Sequence, residues 1–82
     1  MQKRTYRRPA HAELARIEER RIALSVSHEE LYLAAGIRRS AYYDMRRTGL
    51  SFPARIKALR FGLRTIEQRM RAAARILEGA DE

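Results

Sequence analysis

Residues 38–47 read Arg-Arg-Ser-Ala-Tyr-Tyr-Asp-Met-Arg-Arg and form the densest set of polar and aromatic side chains in the chain. A guanidinium is a planar fork of donors that matches phosphate oxygens or the O6 and N7 atoms of guanine bidentately. Arg38, Arg39 and Arg47 supply three such forks, Ser40 adds a hydroxyl, and Tyr43 offers a ring that packs on sugar or a thymine methyl. Asp44 has three readings that its position alone leaves open. It accepts from cytosine, orients the guanidinium of Arg47, or hydrogen-bonds the hydroxyl of Ser40.

The remaining chemistry is sparse. His11 and His28 are the only imidazoles and there is no cysteine, so a disulfide framework, a thiolate metal site and a nucleophilic cysteine have no residues to build them. The carboxylates fall mostly among arginines at spacings typical of surface ion pairs on helices. The expectation is a protein that is not an enzyme and uses no metal or cofactor. No apolar run approaches the roughly 20 residues needed to span a bilayer. Neither a membrane anchor nor a secretory signal is expected, and the predicted location is the cytoplasm, on the nucleoid when DNA is bound.

Charge is unevenly placed along the 82 residues, whose net formal charge is +8. Residues 1–10 hold +4, residues 11–37 hold −2, residues 38–64 hold +7 and residues 65–82 hold −1. In the 38–64 segment eight basic residues meet one acid, Asp44, so the segment repels itself unless a polyanion or counter-ions screen it. Sixteen of the eighteen basic residues are arginine, which favours bidentate phosphate and base contacts and also accords with a GC-rich genome.

The elements that must position this face can be read from periodicity and caps. Met1 to Ala10 lacks apolar periodicity and reads as a basic, mobile arm. Arg4, Arg7 and Arg8 suit the negative potential of a minor groove, or belong to a tail with no role in sequence reading. Leu14, Ile17 and Leu24 return to one face and predict a helix over 11–24. Ser27 with Glu30 forms a capping box that starts a second helix, ended by Gly36, where a positive φ is cheap. Leu31, Ala34 and Ala35 face the core and Ile37 plugs it. A third helix follows from residue 38 to 48, with Ala41, Tyr42 and Met45 inward and Thr48-Gly49 as its stop. Ser51 reads as the cap of a further helix with Pro53 in its first turn.

Beyond that point two readings compete. Ile56, Leu59, Leu63, Ile66, Met70, Ala73 and Leu77 follow a 3-4 spacing that makes one long helix and a dimer seam. Gly62, and Thr65 with Gln68 as a second capping signal, argue instead for a break near Phe61 and a new helix near Ile66. The sequence favours two helices.

The run Ser27-His28-Glu29-Glu30-Leu31, then Ala35-Gly36-Ile37, then Arg39-Ser40 before Tyr42-Tyr43, resembles the lambda-repressor/Cro-like (Xre-type) helix-turn-helix regulators. The resemblance covers about residues 16 to 63. It implies an all-α domain of four to five short helices over residues 11–78, with the helix-turn-helix at 28–48 and one or more C-terminal helices at 52–78. It further implies a homodimer on an inverted repeat with helix 38–48 in the major groove, as in a phage or mobile-element regulator.

The DNA-contacting residues that follow are Ser27, His28, Arg38, Arg39, Ser40, Tyr43, Asp44, Arg47, Thr48 and Arg55. Leu63, Ile66, Met70 and Leu77 are the candidate dimer contacts, and other transcription proteins are conceivable partners. Three residues depart from the family's pattern. Tyr32 stands where alanine lets the two helices approach, Arg20 replaces an apolar residue of the first helix, and Arg38 replaces the usual serine cap. The competing reading is a helical assembly protein that uses the 56–77 seam and binds RNA or DNA non-specifically through its basic surface.

Overall fold

The computed structural model describes residues 6–80. Among these residues there are four helices and one two-stranded antiparallel pair: β1 (Arg8–Pro9), α1 (His11–Ala23), α2 (His28–Ala35), α3 (Arg39–Thr48), β2 (Leu50–Ser51) and α4 (Pro53–Ala80). The all-α expectation holds apart from that short ladder. No described helix is long and apolar enough to cross a membrane.

Helix α1 buries Ile17, with Leu14 packed at the edge of the core, and leaves its charged side to solvent. It ends at Leu24 because Ser25 turns into the left-handed region (φ 56°). The guanidinium of Arg21 fastens this turn by donating to the carbonyl of Val26 at 2.7 Å. Helix α2 opens with both halves of the expected capping box, the Ser27 hydroxyl accepting from the Glu30 amide at 3.0 Å. It closes on Gly36, whose φ of 69° lets the chain reverse into α3.

Tyr32 does not sit where a small residue would. It is buried, and its ring lies 5.5 Å from that of Tyr42 and 6.4 Å from that of Tyr43, so aromatic rings fill the angle between α2 and α3. Helix α3 stops at Gly49 (φ 72°). A side chain there would also collide with the imidazole of His11, which lies flat against the glycine.

Two expectations are corrected. Residues 1–10 are not an unstructured arm throughout: Arg8 pairs with Ser51 and Pro9 with Leu50, the Ala10 amide donates to the Gly49 carbonyl at 2.8 Å, and Ala10 is buried. Backbone pairing to the segment after α3 captures this stretch, which apolar periodicity cannot reveal. The C-terminal region is one helix of 28 residues rather than two. Gly62 does not break it because it is the point of closest approach to α2, where a Cβ would stand 3.1 Å from the Ala35 amide nitrogen. The packing that needs this glycine outweighs its cost of about 1 kcal/mol in a helix.

The core joins all four helices through Ile17, Leu31, Tyr42, Met45, Leu59 and Leu63. Ser51 is buried too, its hydroxyl 2.9 Å from both the Met45 sulfur and the Phe52 carbonyl, and so packs beneath α4 instead of capping it with its side chain. Every residue of α4 from Gln68 to Gly79 is exposed. The second half of this helix therefore stands away from the body and helps give the molecule extents of 61 × 27 × 20 Å.

Candidate nucleic-acid interface

Helix α3 divides cleanly around its axis. Tyr42 and Met45 point inward at 2 % and 1 % exposure, whereas Arg39, Ser40, Tyr43 and Arg47 share the outward face and Tyr43 is 40 % exposed. The Arg39 guanidinium lies over the Tyr43 ring, 5.8 Å from its centroid, which holds the fork on the outside of the helix. The first turn of α3 contains no acid and no side-chain cap at Arg38, so its amide ends are not neutralised locally.

Asp44, the one acid of the basic segment, lies at the edge of this face. One carboxylate oxygen accepts from Arg47 at 2.6 Å and the other from Arg7 at 2.9 Å. Of the three readings open in the sequence, the geometry matches orientation of Arg47, and it adds a contact from the N-terminal segment. Both carboxylate oxygens are thus engaged. Arg8 lies exposed in β1, and Arg4 lies outside the described residues.

A second group of basic residues flanks the turn. Gly36, Arg38, Ser40 and Asp44 line one side of an open cleft of about 740 Å³, and Ala54, Arg55 and Ala58 of α4 line the other. The N-terminal turns of α3 and α4 both open onto it. Arg55 rests on the Phe52 ring at 5.0 Å, which places its charge at the cleft edge.

Three residues expected at the interface are engaged within the protein. Ser27 gives its hydroxyl to the capping box. His28 places Nδ1 2.7 Å from the Tyr42 hydroxyl and is half-buried; burial, with repulsion from Arg21 and Arg46, holds its pKa below the ordinary histidine value. Thr48 donates to the Asp44 carbonyl at 2.8 Å and accepts from the Leu50 amide at 3.2 Å, closing the end of α3. These side chains position α3 rather than extend its outer face.

Arg46 and Glu18 escaped the sequence reading. Arg46 on α3 donates to Glu18 on α1 at 2.7 Å and lies over the Tyr42 ring at 5.8 Å, and Arg21 grips the same carboxylate. The bond from Arg21, with the positive charge of Arg46, brings the Glu18 pKa down to about 2 despite burial. Glu18 therefore couples the first helix to the exposed one. A separation of 28 residues gives no local signal for such a pair.

The candidate dimer residues also separate. Leu63 is buried in the core of its own chain and is not available to a partner, and Ile66 is half-buried beside it. Met70 and Leu77 are exposed. Arg20, out of pattern for an apolar position, reaches across to Glu67 of α4 at 2.5 Å.

Comparison of the chain with protein-family models, with curated proteins and with solved structures gives no match.

Proposed function

We propose that this protein is a sequence-specific double-stranded DNA-binding regulator of transcription, with a helix-turn-helix formed by α2, the Gly36 turn and α3. The observation that carries the reading is the outward face of α3, where Arg39, Ser40, Tyr43 and Arg47 stand together above a fully packed inner face. A helix of ten residues is about 15 Å long, and the B-form major groove, about 12 Å wide, accepts an α-helix.

In this reading Arg39 and Arg47 reach base edges, and Tyr43 packs against sugar or a thymine methyl. The cleft between Arg38 and Arg55 takes a backbone phosphate, served by two helix N-terminal turns. Asp44 acts through Arg47. By restricting the guanidinium to one set of rotamers it lowers the entropy lost when that fork meets a base. Arg7 shares the same carboxylate and brings the N-terminal segment to the rim of the face.

Selection of bound sequences from a random DNA pool tests the proposal directly. A recovered consensus is the expected result, and recovery of no preferred sequence would overturn specificity. Arg39→Ala is expected to cost about 1–3 kcal/mol on the recovered site and to relax one base position. Equal weakening on all sequences would make Arg39 a phosphate clamp. A salt titration separates the competing non-specific reading, because backbone attraction alone falls steeply and equally for every sequence.

A further inference from the structure

The outer half of α4 carries an apolar stripe that its own chain does not cover. The seam that runs through Ile56, Leu59 and Leu63 into the core continues through Ile66, Met70, Ala73 and Leu77 past the edge of the body. Beside it, Leu33 of α2 and Ile76 of α4 are 65 % and 72 % exposed, an unusual state for large aliphatic side chains on adjoining elements. Leu33, Ala34, Ile66 and Met70 line a groove of about 610 Å³ between α2 and α4, with Glu30 and Arg69 at its rim.

We propose that this groove is filled by the outer half of α4 from a second copy of the chain, running antiparallel, to form a two-fold symmetric dimer. Three features select that occupant. First, antiparallel register about the midpoint of residues 71 and 72 sets Ile66 opposite Leu77 of the second copy and Met70 opposite its Ala73. Large side chains then meet small ones in the central layers, whereas a parallel pair stacks Ala73 on Ala73 and Met70 on Met70.

Second, α2 lies on the Gly62 and Arg69 side of the seam and α1 on the Glu67 side, as the Gly62–Ala35 approach and the Arg20–Glu67 bond define. The same antiparallel register brings Ile76 of the second copy past Arg69 onto Leu33, so the two otherwise unexplained aliphatics cover each other twice in one dimer. Third, the charges match. The open end of α2 presents Glu29 and Glu30, and the incoming helix carries Arg75 on the flank that faces them. The interface is isologous, as a two-fold axis requires. Its size belongs to the small end of specific interfaces, which implies a dimer that forms in the micromolar range rather than an obligate one.

The test uses the full chain without DNA, so that its outcome is independent of the regulatory reading. Sedimentation velocity between about 5 and 500 µM is expected to show a monomer–dimer equilibrium. Met70→Glu and Leu77→Glu, both at exposed positions that leave the fold's circular dichroism unchanged, are expected to raise the dissociation constant about tenfold or more. Because the chain has no cysteine, orientation can be read by mixing Ile66→Cys with Leu77→Cys protein under mild oxidation. The mixed disulfide dimer is expected to dominate. A monomer throughout the concentration range, a dimer indifferent to both glutamates, or preferential Leu77→Cys self-cross-linking would each overturn the proposal, the last by showing a parallel pair.

Discussion

Glu18→Gln isolates the contact that ties α1 to α3, and its effect should depend on pH in a defined window. The Glu18 carboxylate is about a quarter exposed and is held by Arg21 and Arg46. Its pKa is about 2 against an ordinary value of 4.5. At 1.36 kcal/mol for each pH unit of displacement, the ionised form contributes up to about 3 kcal/mol. Solvent reaches the Arg46 side of the cluster, which reduces the figure to about 2 kcal/mol. Because the folded-state pKa is depressed, this contribution is fully present above pH 4.5 and is lost as pH falls through about 2.

Urea unfolding from pH 7 to pH 2, followed by circular dichroism, should therefore show wild type exceeding Glu18→Gln by about 2 kcal/mol at neutral pH. The gap should hold to about pH 5 and close towards pH 2. Urea is preferred to guanidinium chloride because a salt would screen the pair. His28 acts in a separate, higher window: its lowered pKa removes stability as pH drops below 6.5, and it does so in both proteins. A gap that stayed constant from pH 6 to pH 3 would refute the assignment of Glu18 as an ionised hub.

Gly62→Ala should destabilise the fold even though alanine is the better helix former. The gain of about 1 kcal/mol in propensity is opposed by about 1–3 kcal/mol for pushing α2 away from a Cβ 3.1 Å from the Ala35 nitrogen, and a lowered Tm checks it. Leu63→Asp should unfold the chain rather than merely split a dimer, since it places a carboxylate in the core; loss of the helical circular dichroism signal at 25 °C is the expected observation, and a folded monomer would contradict it.

Features set by neighbouring residues were legible in the sequence, and features set by distant ones were not. The capping box at Ser27 and Glu30, the left-handed turn at Gly36 and the stop at Gly49 each depend on a few consecutive residues, and each stands where the pattern put it. The inward Tyr42 and outward Tyr43 follow from helical periodicity alone. Gly62 misled because its local cost argues for a break, whereas its benefit lies in a contact with α2 more than 25 residues earlier in the chain. The same holds for Arg46 with Glu18, and for β1, whose pairing partner lies beyond three helices. Asp44 was ambiguous for a related reason: one of its two partners, Arg7, is 37 residues away.

The seam from Ile56 to Leu77 shows why periodicity cannot by itself assign a helix face to a core or to an interface. All seven positions obey one 3-4 repeat, yet Ile56, Leu59 and Leu63 are buried in their own chain while Met70 and Leu77 are exposed. The division falls where α2 ends its contact with α4, because α2 has only eight residues, about 12 Å of helix, against about 42 Å for α4. The mismatch in length, rather than any change in the repeat, leaves the outer half uncovered. It also places the uncovered stripe at the opposite end of α4 from Arg55, so a second copy can dock there without covering the arginines around the cleft between α3 and α4.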